Sequence, residues 1–318
     1  MEILFSIVLL SLGFVMLIQG ADRFVDSASA LSEKLGIPRL IIGLTVVAMG
    51  TSAPEAAVSI TAALKKSADI TVGNIVGSNI INILIILGIS SIIAPLAVSR
   101  STVLFEIPFM TVVTLLLLVQ GIDGYIGLFD GIILLVMFAA YLIYLFIMAR
   151  KQRNFYNDID RINENAHASV KPGSNLKLAL QLIIGLALII AGSNISVDAA
   201  CTIAKFFHMS ERFIGLTIVA LGTSLPELFT SVSAARKGNA DIAIGNIVGS
   251  NIFNILFVIG ISSVITKVPF SENFYFDTIT AILSGALLMV CCAKRRKLAR
   301  LCGIVMLACY AAYFLYIL

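Results

Sequence analysis

The chain has no tryptophan, only two histidines and few charges: 13% of its 318 residues are Asp, Glu, Lys or Arg. Soluble domains carry about one-quarter charged residues. At 59% hydrophobic and a mean hydropathy of +1.03, the chain has too little polar surface to cover its apolar residues in water. It reads as a polytopic membrane protein. The histidines, His167 and His208, lie far apart, and the cysteines (Cys201, Cys291, Cys292, Cys302, Cys309) include no CxxC pair. Clustered zinc ligands are therefore lacking, and the cysteines read as small hydrophobes. No Ser–His, paired-Asp or His–zinc constellation marks an enzyme. The net charge of +4 does not imply nucleic acid, because lysines and arginines sit in loops, as cytoplasmic loops of membrane proteins require.

What is present is apolar runs. They predict ten helices, over 3–20 with an amphipathic extension to Leu35, then 38–64, 70–93, 102–120, 125–149, 176–204, 211–236, 241–265, 274–293 and 298–317. The first run has no basic residues before it, so it is expected to be a helix and not a secretory signal. Residues 150–175 are polar and mixed in charge and form the one linker. The expected organisation is 1–149, a five-helix repeat; 150–175, a cytoplasmic linker; and 176–318, a second five-helix repeat. An odd number of helices per repeat places the second copy upside down in the bilayer.

The repeat is visible residue by residue. GLTVVAMGTSAPE (Gly43–Glu55) and GNIVGSNIIN (Gly73–Asn82) recur as GLTIVALGTSLPE (Gly215–Glu227) and GNIVGSNIFN (Gly245–Asn254), at a constant offset of 172. From Ile42 to Asn82, 27 of 41 positions match their counterparts, which marks an internal duplication. Each copy places a glutamate, Glu55 or Glu227, directly after a proline inside an apolar segment. A carboxylate at the bilayer centre costs about 2.5–3.5 kcal/mol, and no Lys or Arg lies in the interior of a predicted span to offset it. Helical spacing puts Thr45, Ala48, Ser52, Glu55 and Ser59 on one face, and Thr217, Ala220, Ser224, Glu227 and Ser231 on the equivalent face. Asn74, Ser78 and Asn82, with Asn246, Ser250 and Asn254, line the next helix of each copy. Taken singly, these hydroxyls and amides could be interhelical glue. Together, and with carbonyls freed at Gly50 and Gly222 by Pro54 and Pro226, they describe an all-oxygen cation site. Hard ligands of this kind suit Ca²⁺, Na⁺ or Mg²⁺. Two ionised glutamates balance one Ca²⁺ or two Na⁺, so competing cations and alternating access describe an antiporter.

The paired GTSxPE and GNIVGSN segments resemble the α-repeats of the cation/Ca²⁺ exchanger superfamily, in its prokaryotic sodium/calcium exchanger branch. The resemblance covers nearly the whole chain. It implies an all-α fold of ten transmembrane helices in two inverted five-helix repeats, and Na⁺-driven Ca²⁺ extrusion. It also implies Ca²⁺ ligands at Glu55, Glu227 and the Thr51 and Thr223 carbonyls. Na⁺ ligands would be drawn from these glutamates with Ala48, Ser52, Ser78, Ala220, Ser224 and Ser250. The first and sixth helices, which share Gly20/Gly192 and Asp26/Asp198, would slide as a gating pair. Potassium-dependent members carry Asp where Asn254 stands, and proton/calcium exchangers tend to carry an acid where Gly77 and Gly249 stand. A K⁺ requirement is thus disfavoured, and proton coupling on the same fold is the alternative. A channel would conduct without counter-transport, and the single-copy gating pattern disfavours a symmetric pore. DIDRIN (158–163) lacks the later positions of a Ca²⁺ loop, so no regulatory Ca²⁺ domain is expected.

Loop charges orient the chain: with both termini outside, 17 lysines and arginines fall inside and 5 outside. The expected location is the inner membrane. No cofactor is expected, Ca²⁺ and Na⁺ being cargo, and no protein partner is required, the monomer being the expected unit. KRRKLAR (294–300) reads as a topology anchor, with anionic-lipid binding as the alternative.

Overall fold

The computed structural model describes residues 2–65, 68–162, 175–207 and 220–317. Helices dominate. α1 (Glu2–Leu35) has 34 residues, about 50 Å at the helical rise, and outreaches the roughly 30 Å hydrocarbon layer. α2 (Arg39–Thr51) and α3 (Ala53–Leu64) follow, then α4 (Ile70–Ile93), α5 (Thr102–Asp123) and α6 (Leu128–Ile162). The second half contains α7 (Asn175–Phe206), α8 (Ala220–Thr223), α9 (Leu225–Arg236), α10 (Ala240–Ile265), α11 (Asn273–Ala293) and α12 (Arg300–Ile317). Among the described residues, eight helices are long and apolar enough to cross a membrane, or nine when α2 and α3 count as one broken span. The counterpart expected over 211–236 is described only from Ala220. Helicity also runs on to Ile162, so the expected linker begins as a continuation of α6, and 163–174 lie outside the described residues.

Burial separates centre from rim. In the most apolar stretch of α10, 94% of residues are buried, and 78% in α4, against 11% in α12. α4 and α10 therefore form the middle of the molecule, with α2–α3 and α8–α9 against them. α5 packs on α11, while α6 and α12 cover α10 and α4. α1 lies antiparallel along α7. There Gly13 faces Gly192 and Gly20 faces Gly185, so closely that a Cβ on Gly192 would stand 2.8 Å from the Gly13 carbonyl oxygen. Gly13 and Gly20 become Gly185 and Gly192 at the offset of 172, so this contact is reciprocal.

Two short strand pairs were not expected. β1 (Leu96–Ala97) pairs antiparallel with β4 (Lys297–Leu298), and β2 (Tyr125–Ile126) with β3 (Val268–Pro269). β1 and β3 are equivalent by sequence, as are β2 and β4, so every strand pairs with the other half of the chain. α4 ends where Ala94 turns extended (φ −141°, ψ 123°), the conformation favoured before Pro95, and the chain enters β1 directly.

Candidate functional site

Pro54 and Pro226 occupy the first turns of α3 and α9, where a missing N–H is tolerated. The helices break just before them, at Ser52 (φ −81°, ψ 6°) and Ser224 (φ −90°, ψ 4°), and α2 and α3 meet at 51°. Ser52 and Glu55 have the S-x-x-E spacing of a helix capping box, yet the serine makes no cap bond. Its hydroxyl crosses the molecule instead: Ser52 Oγ donates to Glu227 Oε1 at 2.8 Å. Reciprocally, Ser224 Oγ donates to Glu55 Oε1 at 3.5 Å. The hydroxyls of Thr51 and Ser250 near Glu227 are directed elsewhere, Thr51 Oγ1 to Asn246 Oδ1 and Ser250 Oγ to the Ala48 carbonyl. Both glutamates are 1% exposed, and among the described residues neither forms an ion pair.

The amide helices complete the frame. Asn74 Nδ2 donates to Ser59 Oγ at 3.0 Å and to the Glu55 carbonyl at 3.5 Å. Asn246 Nδ2 does the same to Ser231 Oγ (2.9 Å) and the Glu227 carbonyl (3.5 Å). Asn246 Oδ1 accepts from Thr51 Oγ1 at 3.0 Å. Asn82 Nδ2 donates to Asn251 Oδ1 (2.9 Å), and Asn254 Nδ2 to Asn79 Oδ1 (3.1 Å). In Asn82 and Asn254 the amide nitrogen is spent in this way and the oxygen is left over. Among the described residues, Asn82 Oδ1, Asn254 Oδ1, Glu55 Oε2 and Glu227 Oε2 are buried acceptors with no hydrogen-bond donor. Leaving a buried polar atom unmatched costs about 1–3 kcal/mol. These four oxygens form two pairs 172 residues apart, and a bound cation would satisfy them. Both Asn82 and Asn254 also open π-helical turns, Asn82–Leu87 and Asn254–Ile259, a distortion frequent at functional sites.

The remaining expected residues divide. Ala48, Thr51, Ser78 and Ser250 are buried, and the Ala48 carbonyl accepts from Ser250 Oγ at 3.4 Å. Thr223 is half-buried, and Ala220 opens α8. The freed Gly222 carbonyl is taken by Ser193 Oγ on α7 at 2.7 Å. Thr45 stays with its own helix, donating to the Ile41 carbonyl at 2.6 Å. Thr217 and Gly215 lie outside the described residues. Among those residues no three His, Cys, Asp or Glu side chains gather at one point. A cation here would be held by two carboxylates with amide, hydroxyl and carbonyl oxygens.

Sequence reasoning missed Asn79 and Asn251. Each Nδ2 donates to the other's backbone carbonyl, at 3.2 and 3.1 Å. Their signal was the duplicated GSNI, one position off the polar face. It also passed over Glu106 on α5, which is fully buried, accepts from Tyr144 Oη at 3.2 Å and has Thr278 as its counterpart.

The sequence pattern described as sodium/calcium exchanger protein matches residues 5–147 and 177–318. The inner membrane protein YrbG of Escherichia coli is 38% identical over 296 residues, covering 92% of this chain and 90% of YrbG. The sodium/calcium exchanger MaX1 of Methanosarcina acetivorans is 30% identical, with 97% of each chain covered. A solved structure of the sodium-calcium exchanger NCX_Mj, soaked with Na⁺ and Ca²⁺, superposes with a TM-score of 0.82 at 32% identity, covering 98% of this chain and 97% of that one.

Proposed function

Because the chain belongs to the sodium/calcium exchanger protein family, we propose that it is a secondary antiporter that exchanges Na⁺ for Ca²⁺ at one site built by both halves. The observation that carries this reading is the crossed pair, Ser52 on Glu227 and Ser224 on Glu55, with the second oxygen of each carboxylate unmatched among the described residues. Glu55 and Glu227, with the Thr51 and Thr223 carbonyls, hold one Ca²⁺. Na⁺ ions use the same glutamates with Ala48, Ser52, Ser78, Ala220, Ser224 and Ser250, and Asn82 and Asn254 contribute their free oxygens. Two negative charges are neutralised by one Ca²⁺ or by two Na⁺, so the cations exclude each other and exchange.

Access alternates as the α1–α7 pair slides across the site. Close glycine contacts pack α1 and α7 backbone to backbone, so the two helices move together. The architecture is ten spans in two inverted repeats, α2–α3 and its counterpart ending in α9 each making one broken span. The excess of loop lysines and arginines supports termini outside and a cytoplasmic linker. The monomer is the working unit, since both glutamates and both amide sets come from one chain.

The test is Ca²⁺ uptake into proteoliposomes loaded with Na⁺ and diluted into Na⁺-free buffer at equal pH, with choline-loaded vesicles as control. Uptake only down the outward Na⁺ gradient is expected. Uptake driven by an imposed pH gradient without Na⁺ would move the chain to proton coupling and remove the argument from Gly77 and Gly249.

A further inference from the structure

The two halves make the same turn before β2 and before β4, but with opposite chemistry. In the first half the turn residue is Gly124, at φ +89°. Its counterpart is Arg296, at φ +46° and the one non-glycine residue in that region among the described residues. A left-handed backbone is strained for any side-chain-bearing residue outside Asn and Asp. Glycine would relieve the strain here, and the other half of the chain uses it. The arginine is held in place by its backbone: Arg296 O accepts from Val98 N at 2.9 Å and Arg296 N donates to Cys292 O at 2.9 Å. Keeping a strained arginine where glycine serves the fold argues that the side chain has a task.

The surroundings say which task. Arg296 and Arg100 line a cleft of 330 Å³ with Val103, Leu104 and Ala293. At the counterpart of that cleft, Tyr275 stands in place of Val103, its hydroxyl donating to the Gly121 and Ile122 carbonyls at 3.0 and 3.2 Å. Glu272 stands there in place of Arg100. The counterpart position is thus acidic, whereas this cleft is doubly basic. Among the described residues no carboxylate pairs with Arg100 or Arg296. Leu104 beside them is 64% exposed and faces outward.

We propose that Arg100 and Arg296 form a binding site for the phosphate of an anionic phospholipid, whose acyl chain runs along Val103 and Leu104. Guanidinium groups bind phosphate oxygens in pairs, and the apolar wall beside them selects a phosphate that carries a hydrocarbon tail. The assignment is independent of which ions the chain moves.

The test uses the full chain in neutral detergent, with native mass spectrometry and melting temperature as readouts. The probes are phosphatidylglycerol, phosphatidylcholine, and inorganic phosphate at matched ionic strength. Wild type is expected to retain phosphatidylglycerol over phosphatidylcholine and to melt higher with it. Arg100→Gln and Arg296→Gly should each lower that retention about fivefold. Arg296→Gly, which restores the glycine of the other half, should fold at least as well as wild type without lipid. Lys294→Gln with Arg295→Gln removes two exposed charges from the same loop and should leave retention unchanged. The site is overturned if this control pair loses lipid as fully as the cleft variants. Equal retention of phosphatidylcholine overturns it too, as does full stabilisation by inorganic phosphate alone.

Discussion

Asn79 and Asn251 each hold the other's backbone carbonyl, at 3.2 and 3.1 Å, and so tie α4 to α10 in the middle of the molecule. The pair is self-reciprocal at the offset of 172. Asn79→Ala and Asn251→Ala each leave a buried carbonyl without its donor, at about 1–3 kcal/mol. The double variant is expected to be less destabilised than the sum of the singles. A double-mutant cycle on unfolding in detergent, with a coupling above about 0.5 kcal/mol, checks this; strict additivity would show that the bonds act separately.

Glu55→Gln and Glu227→Gln should each abolish Ca²⁺ transport while the protein remains folded and extractable, because removing a charge from the apolar interior relieves an insertion cost. Uptake assays with size-exclusion profiles of the same preparations decide it. Wild-type transport by either variant would remove that glutamate from the site.

The two crossing serines are unequal. Ser52 lies 2.8 Å from Glu227, and Ser224 lies 3.5 Å from Glu55. A hydrogen bond to a charged group contributes about 1.5–3 kcal/mol, and one stretched to the edge of the range contributes less. Ser52→Ala is therefore expected to change Ca²⁺ affinity more than Ser224→Ala. Equal effects in isothermal titration would contradict this ordering.

Asn82→Ala and Ser78→Ala are expected to weaken Na⁺ dependence more than folding. Na⁺-gradient-driven uptake, read beside the melting temperature, separates the two. A fall in melting temperature with intact Na⁺ dependence would make these residues helix glue.

Gly192→Val places a side chain where even a Cβ would meet the Gly13 carbonyl at 2.8 Å. Overpacking of this kind costs about 1–3 kcal/mol. If α1 and α7 move as one unit against the core, turnover should fall while Na⁺ and Ca²⁺ still raise the melting temperature. Loss of ion-induced stabilisation would instead place the damage in the site.

The sequence made the broad plan readable because its signals were local. Apolar runs marked several helices to within a few residues, as at 70–93 for Ile70–Ile93 and 274–293 for Asn273–Ala293. The two glutamates stood out because an acid beside a proline in an apolar run has few structural explanations. What stayed hidden was the pairing across the molecule. Ser52 and Glu55 look like a local cap, and only packing against the other half turns the serine toward Glu227. Asn79 is one position off the face that carries Ser78 and Asn82, so helical periodicity assigns it elsewhere. The four strands are two residues long, too short for an alternation to register.

The swapped strand pairs also speak to ancestry. Because β1 and β2 pair, among the described residues, with strands of the second half, a single half-chain would leave both open. Two identical half-chains related by a twofold axis would close them, in the same register, along with the reciprocal asparagine and glycine contacts. The present protein is in that sense a homodimer whose subunits were joined end to end, after which each copy was free to diverge where symmetry was not needed. Arg296 and Gly124 record one such divergence. The two halves, expressed as separate chains in the same membrane, should still find each other.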